Sequence, residues 1–167
     1  RTVTGPNVME STGIGKSNTA DKCGKEINEF FTSDNCDCII SAGGGETMCE
    51  DLGYVDFEAI KEAAPKWFLG YSDNTCLTFT LPVLCDTAAI YGPCASSFGM
   101  QPAHEYLNDT FKLLTGEKLK FSNYPAWEIE GMSSEETPLA TVNATELYSQ
   151  KLYKDGELYL EDAIPDT

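Results

Sequence analysis

The sequence predicts an α/β fold: a parallel β-sheet with flanking helices. Two observations carry the prediction. Short apolar runs alternate with longer segments of helical periodicity, and two of those runs end in glycine-bearing turns, Gly43-Gly44-Gly45 and Gly70-Tyr71-Ser72. Strands separated by helices imply right-handed crossovers and parallel pairing.

Thr2-Val3-Thr4 reads as a strand running into Gly5-Pro6, and residues 9–19 as a polar loop. Thr19 or Asp21 can cap a helix from about 20 to 32, with Cys23, Ile27, Phe30 and Phe31 on its apolar face. Residues 36–42 form a buried strand, followed by the triple-glycine loop. Asp56 opens a short helix through about Ala64, and Pro65 closes it. A second strand covers 66–70 and a helix 73–85, which Pro82 should kink or shorten. A third strand covers 88–91 and a further helix 102–115. From about 117 the pattern weakens to short strand candidates at 118–121, 139–142 and 157–160, set among Pro125, Gly131, Pro138 and the acidic run 133–137.

The expected organisation is an α/β unit over 1–124, with 125–167 a linker and the start of a second domain. The chain opens on Arg1 in mid-strand and ends after Ile164-Pro165 with no closing element, so it reads as a fragment whose first strand precedes Arg1.

Composition narrows the function classes. Among 167 residues, 27 acidic side chains oppose 11 basic ones, a formal net charge of -16. Such a surface repels phosphate backbones and anionic lipid, so neither nucleic acid nor a membrane is an expected partner. No apolar run approaches the roughly 20 residues of a membrane span, and no signal segment opens the chain, so a cytoplasmic protein is expected. The seven cysteines (Cys23, Cys36, Cys38, Cys49, Cys76, Cys85, Cys94) are odd in number, scattered, and contain no C-x-x-C pair. They are expected to be free, mostly buried thiols, with no metal bound. The sequons at Asn108 and Asn143 would matter only in a secreted protein.

In such sheets, sites form where strands turn into helices at their carboxyl ends. If strands 36–42 and 66–70 are neighbours, the glycine loop meets the Gly-Tyr-Ser-Asp turn. Ser72 then projects its hydroxyl beside backbone N–H groups of the loop and of Asp73, an arrangement suited to acyl transfer. Each part also has an ordinary explanation. Triple glycine can be a plain turn or a phosphate cradle, although it lacks nucleotide-loop spacing. Ser72 can be a helix cap, and Asn74 stands where a G-x-S-x-G turn would have its second glycine. The residues alone leave both readings open.

Four motifs in order, Gly44-Gly45, Tyr54-Val55-Asp56-Phe57, Gly70-Tyr71-Ser72-Asp73-Asn74-Thr75 and Gly92-Pro93, lie in the segment from Cys38 to Pro93. This segment resembles the N-terminal domain of the LD-carboxypeptidase family of serine peptidases, including its microcin C immunity branch. Weaker similarity reaches back to Gly5-Pro6 and forward to about Leu114. The resemblance implies a flavodoxin-like or class I glutamine amidotransferase-like core. It assigns Ser72 as nucleophile, with the Asp73 N–H and the Gly44-Gly45 loop as oxyanion donors. It implies hydrolysis of an L,D amide, such as removal of D-alanine from a murein tetrapeptide in wall recycling, or of a peptidyl nucleotide in the immunity branch. No metal or cofactor is implied; the substrate would lie in a cleft between domains of a homodimer.

The family's triad is Ser, Glu and His, and the last two belong to a C-terminal domain not expected in this chain. The sole histidine, His104, is not where the family carries its base. Glu128, Glu130, Glu135 and Glu136 have no motif context. Without a base a serine hydroxyl is a poor nucleophile, so the fragment alone is expected to be inactive. A non-catalytic binding module that keeps the fold is the competing reading, and an independent hydrolase using His104 is a third.

Overall fold

Phe68 and Leu69, adjacent in sequence, are both buried yet face opposite sides of a sheet, and the first part of the chain is built around them. The computed structural model describes residues 1–149 and 151–161. The chain divides into two units, Arg1–Phe98 and the residues from Gly99 onward.

In the first unit, β1 (Cys38–Ile40), β2 (Trp67–Gly70) and β3 (Ile90–Tyr91) form a parallel sheet in the order β1-β2-β3. Ile39 pairs with Phe68, and Leu69 with Ile90. The helices are α1 (Ala20–Thr32), α2 (Met48–Asp51), α3 (Phe57–Glu62) and α4 (Thr75–Cys85). The α/β class with a parallel sheet and flanking helices is therefore as the sequence predicts. Phe31 of α1, Ile60 of α3, Phe68 of β2 and Leu77, Leu81 and Cys85 of α4 make the core. The last three recur every four residues, so one face of α4 seals against β2 while Phe79 and Val83 point outward. Leu69 occupies the other face of the sheet, where a Cβ on Gly92 would come within 2.8 Å of its Cδ1.

Several boundaries follow their predicted physical causes. The Asp56 side chain accepts a hydrogen bond from the Ala59 N–H, capping α3. Thr19 takes the N-cap position of α1, although its side chain makes no cap hydrogen bond. Lys66, 8 % exposed, drives its ammonium into the C-terminal end of α1, donating to the Phe30 carbonyl at 2.7 Å and to the Ser33 carbonyl. A cation there complements the helix dipole and satisfies carbonyls the helix leaves unpaired. Lys66→Met should therefore cost about 2 kcal/mol, seen as a lower urea midpoint with an unchanged slope.

Other expectations are corrected. Thr2-Val3-Thr4 is exposed and is not a strand. The polar residues that follow tie this end of the chain to α1 instead: the Asn7 N–H donates to Glu26 and its amide to the Lys22 carbonyl, while Asn18 donates to Asn7 Oδ1. Pro82 does not shorten α4, which runs on past it to Cys85. The segment after the glycine loop contains α2 and a 3₁₀ turn, Leu52–Tyr54, which the sequence pattern did not suggest. Of the cysteines, only Cys85 and Cys94 are fully buried. Four are half-buried and Cys49 is exposed, all of them free. Burial pushes the Cys38 thiol up to about 11, which keeps it protonated and unreactive.

In the second unit, α5 (Glu105–Leu114) is followed by β4 (Ala126–Trp127) paired with β5 (Glu146–Leu147), and by the hairpin β6 (Lys151–Lys154) with β7 (Glu157–Glu161). The helix starts at Glu105 rather than 102. The candidate at 157–160 is found as β7, whereas 118–121 and 139–142 are not strands. Lys118 instead turns back to the Asp109 carboxylate at 2.9 Å and lies over the Phe121 ring. Ala140 makes only an isolated bridge to Gln101. Ile164-Pro165 lies outside the described residues. Among the described residues, no helix is long and apolar enough to cross a membrane.

Candidate active site

Because β1 and β2 are neighbours, the loops that leave their carboxyl ends meet. A Cβ placed on Gly44 would stand 3.1 Å from Ser72 Cβ and 3.3 Å from its Oγ. Only a residue without a side chain lets the loop come this close to the serine without displacing it. A third connection joins them: past Gly92-Pro93, the Ala95 N–H donates to the Ser41 carbonyl at 2.8 Å and the Ser96 N–H to the Ala42 carbonyl. Three of the motifs singled out in the sequence thus converge at one end of the sheet.

Ser72 sits two residues beyond Gly70, the last residue of β2, exposed, with φ +62. A non-glycine residue in the left-handed region costs of order 1–2 kcal/mol. The turn holds it there. Its N–H donates to the Tyr91 hydroxyl at 3.2 Å, and its carbonyl accepts from Thr75 Oγ1 at 2.5 Å. A 3₁₀ turn, Ser72–Asn74, then leads into α4, so the Asp73 N–H lies in the first turn, where a helix leaves its donors without an internal partner. Ser72 accordingly has the sharp strand-to-helix geometry of a nucleophile elbow, and it is the N-cap residue of neither segment: Tyr71 holds that position for the 3₁₀ turn and Asn74 for α4.

The Asp73 carboxylate has a separate task. Its Oδ2 accepts from the Thr47 and Met48 N–H groups at 2.9 and 2.8 Å, which pins the far end of the glycine loop. Gly45 is close by: a Cβ there would lie 3.2 Å from the same oxygen. Asn74, at the position where a second glycine was sought, is fully buried. Its Nδ2 donates to the Gly43 and Tyr71 carbonyls, both at 2.9 Å. Gly70 makes the room, since a Cβ there would meet Asn74 Cγ at 2.8 Å. Sequence reasoning missed Asn74 and Tyr91 as parts of this site. For Asn74 the one available signal was a polar side chain directly ahead of an apolar helix.

Asp51, near the loop, is unusual among the carboxylates. Burial, reinforced by the Asp73 and Glu50 charges, pushes its pKa up to about 6, against a weaker opposing pull from Lys16. A raised carboxyl pKa means that the fold favours the protonated form. The stability this group contributes is complete below about pH 4 and is lost as pH rises toward and through 6. Asp51→Asn is therefore expected to raise the melting temperature at pH 8 and to leave it unchanged at pH 3.5.

His104 belongs to the second unit. It is the N-cap residue of α5, and its Nδ1 accepts the Tyr106 N–H at 3.3 Å, so that nitrogen serves as a cap. Glu128 accepts from the Asn143 N–H; Glu130, Glu135 and Glu136 are exposed. A cavity of about 470 Å³ in this unit is lined by His104, Tyr106, Tyr124, Trp127 and Tyr148. Among the described residues, no group of three or more histidine, cysteine or carboxylate side chains is placed to hold a metal ion.

Comparison with known proteins gives a consistent picture. Residues 1–92 match the family described as LD-carboxypeptidase N-terminal domain. The chain is 29% identical over 151 residues to the microcin C7 self-immunity protein MccF of Escherichia coli, an alignment covering 87% of this chain and 42% of that protein. Among solved structures, MccF in complex with glutamyl sulfamoyl guanosine superimposes with a TM-score of 0.71 at 25% identity, over 87% of this chain and 44% of that one. MccF in its wild-type apo state gives 0.69 at 25% identity, over 94% of this chain and 44% of that one. The chain thus spans less than half the length of these relatives.

Proposed function

Since the chain belongs to the LD-carboxypeptidase family, we propose that it carries the nucleophile and oxyanion hole of a serine peptidase that cleaves an L,D amide bond. The observation that supports this best is Ser72 held at φ +62 between β2 and α4, with Gly44 against its side chain. In this reading Ser72 Oγ attacks the scissile carbonyl carbon. The Asp73 N–H and the N–H groups of Gly44 and Gly45 receive the developing oxyanion, and the amine of the leaving D-residue departs with a proton. Water then hydrolyses the acyl-serine and restores the hydroxyl. The general base and its orienting carboxylate, His and Glu in the family, come from residues outside this sequence, because His104 Nδ1 serves as a helix cap. The chain by itself is then inactive, while the whole protein acts as a cytoplasmic homodimer with no metal or cofactor.

Release of D-alanine from a murein tetrapeptide by the full-length protein tests the reading, with Ser72→Ala as the control. A second substrate class has its own support. The aromatic cavity of the second unit offers several ring faces of the kind on which a nucleobase stacks, and MccF is known in complex with glutamyl sulfamoyl guanosine. A peptidyl nucleotide that competes with the tetrapeptide would favour this class. The alternative of a non-catalytic binding module predicts a protein that binds either ligand and turns over neither.

A further inference from the structure

We propose that Asn74 is the positioning residue of the oxyanion hole: its buried amide holds the Gly43 and Tyr71 carbonyls and so turns the Gly44 N–H toward the space beside Ser72. This rests on the reading of Ser72 as nucleophile. In a trans peptide the carbonyl and the following N–H point in opposite directions within one plane. Fixing the Gly43 carbonyl on Asn74 Nδ2 at 2.9 Å therefore aims the Gly44 N–H away from Asn74. The same nitrogen fixes the Tyr71 carbonyl at 2.9 Å, and so aims the Ser72 N–H outward, where it meets the Tyr91 hydroxyl. One side chain thus sets the peptide planes on both sides of the reacting position.

Stability alone does not account for an asparagine here. Asn74 is 0% exposed, and its Oδ1 has no hydrogen-bond partner among the described residues. A leucine would fill similar space with no unpaired atom. Nor do the two carbonyls need Asn74 merely to be satisfied. The Gly43 oxygen also accepts from Ser41 Oγ at 2.7 Å, and the Tyr71 oxygen from the Asn74 backbone N–H at 3.3 Å. What the amide adds is orientation of a glycine-rich loop that has no side chains of its own to fix it.

Asn74→Leu in the full-length protein separates this role from a structural one. The readout is covalent labelling of Ser72 by a fluorophosphonate, whose tetrahedral adduct places an oxygen in the same hole. The maximal labelling rate should fall about 10- to 100-fold. The half-saturating probe concentration should change by less than about threefold, and the melting temperature should stay near that of the parent. A folded Asn74→Leu that labels at the parent rate overturns the proposal. If Asn74→Leu does not fold, Asn74→Ser, whose hydroxyl cannot reach both carbonyls, is held to the same criteria. Ser72→Ala separates the two levels. If it leaves turnover intact, the nucleophile assignment falls and the positioning role falls with it. If it abolishes turnover while Asn74→Leu labels normally, only the role of Asn74 is lost.

Discussion

Replacing Ser72 with alanine in the full-length protein is expected to lower kcat for tetrapeptide cleavage by at least about 10⁴-fold while KM stays within a few-fold. The hydroxyl forms the bond to the substrate carbon, so its loss removes the covalent route and leaves only binding and the oxyanion donors. A second substitution at this position tests the geometry independently of the chemistry. Ser72 sits at φ +62, a conformation that glycine adopts without steric penalty. Ser72→Gly is expected to be as inactive as Ser72→Ala yet roughly 0.5–1 kcal/mol more stable than the parent, part of the relief being offset by the greater freedom of glycine in the unfolded chain. A stability gain coupled to loss of activity would mark Ser72 as a strained residue at a functional turn. Chemical denaturation of the parent and both variants provides the comparison.

The second large effect is expected at Gly44. Its φ is not in the left-handed region, so Gly44→Ala introduces no backbone strain, and the loop around it is exposed. The added Cβ would nevertheless approach Ser72 Cβ to 3.1 Å and Oγ to 3.3 Å. Either the loop or the serine must shift by a few tenths of an ångström, enough to misplace a nucleophile against its oxyanion donors. We expect kcat to fall about 10- to 100-fold with a melting temperature near that of the parent. Steady-state kinetics alongside thermal unfolding would show whether activity and stability separate in this way.

The parts of the site legible in the sequence were those whose chemistry is local. A strand ending in Gly70-Tyr71-Ser72 and a triple glycine after another strand could be read as turns at carboxyl ends. Asp56 could be read as a cap because capping needs only the next few residues. That the two turns lie on neighbouring strands was conditional until the β1-β2 pairing was seen, because strand order is not written in any local pattern. The role of Asn74 was hidden for a related reason. Its bond to Gly43 spans 31 positions and exists only because Gly70 lacks a Cβ. The expected N-terminal strand was misread because β-branched residues indicate strand propensity but cannot supply a partner. Beyond residue 117, the five-residue β7 was legible, whereas β4 and β5 are two-residue pairs too short to leave a period in the sequence.

The most direct test of the central claim is peptide mapping of the full-length protein after treatment with a fluorophosphonate. A single phosphonyl adduct on Ser72, absent from Ser72→Ala and formed in step with loss of peptidase activity, is the expected result. Activity that survives the reagent, or an adduct on a different serine whose formation abolishes turnover, would contradict the assignment of Ser72 as the nucleophile.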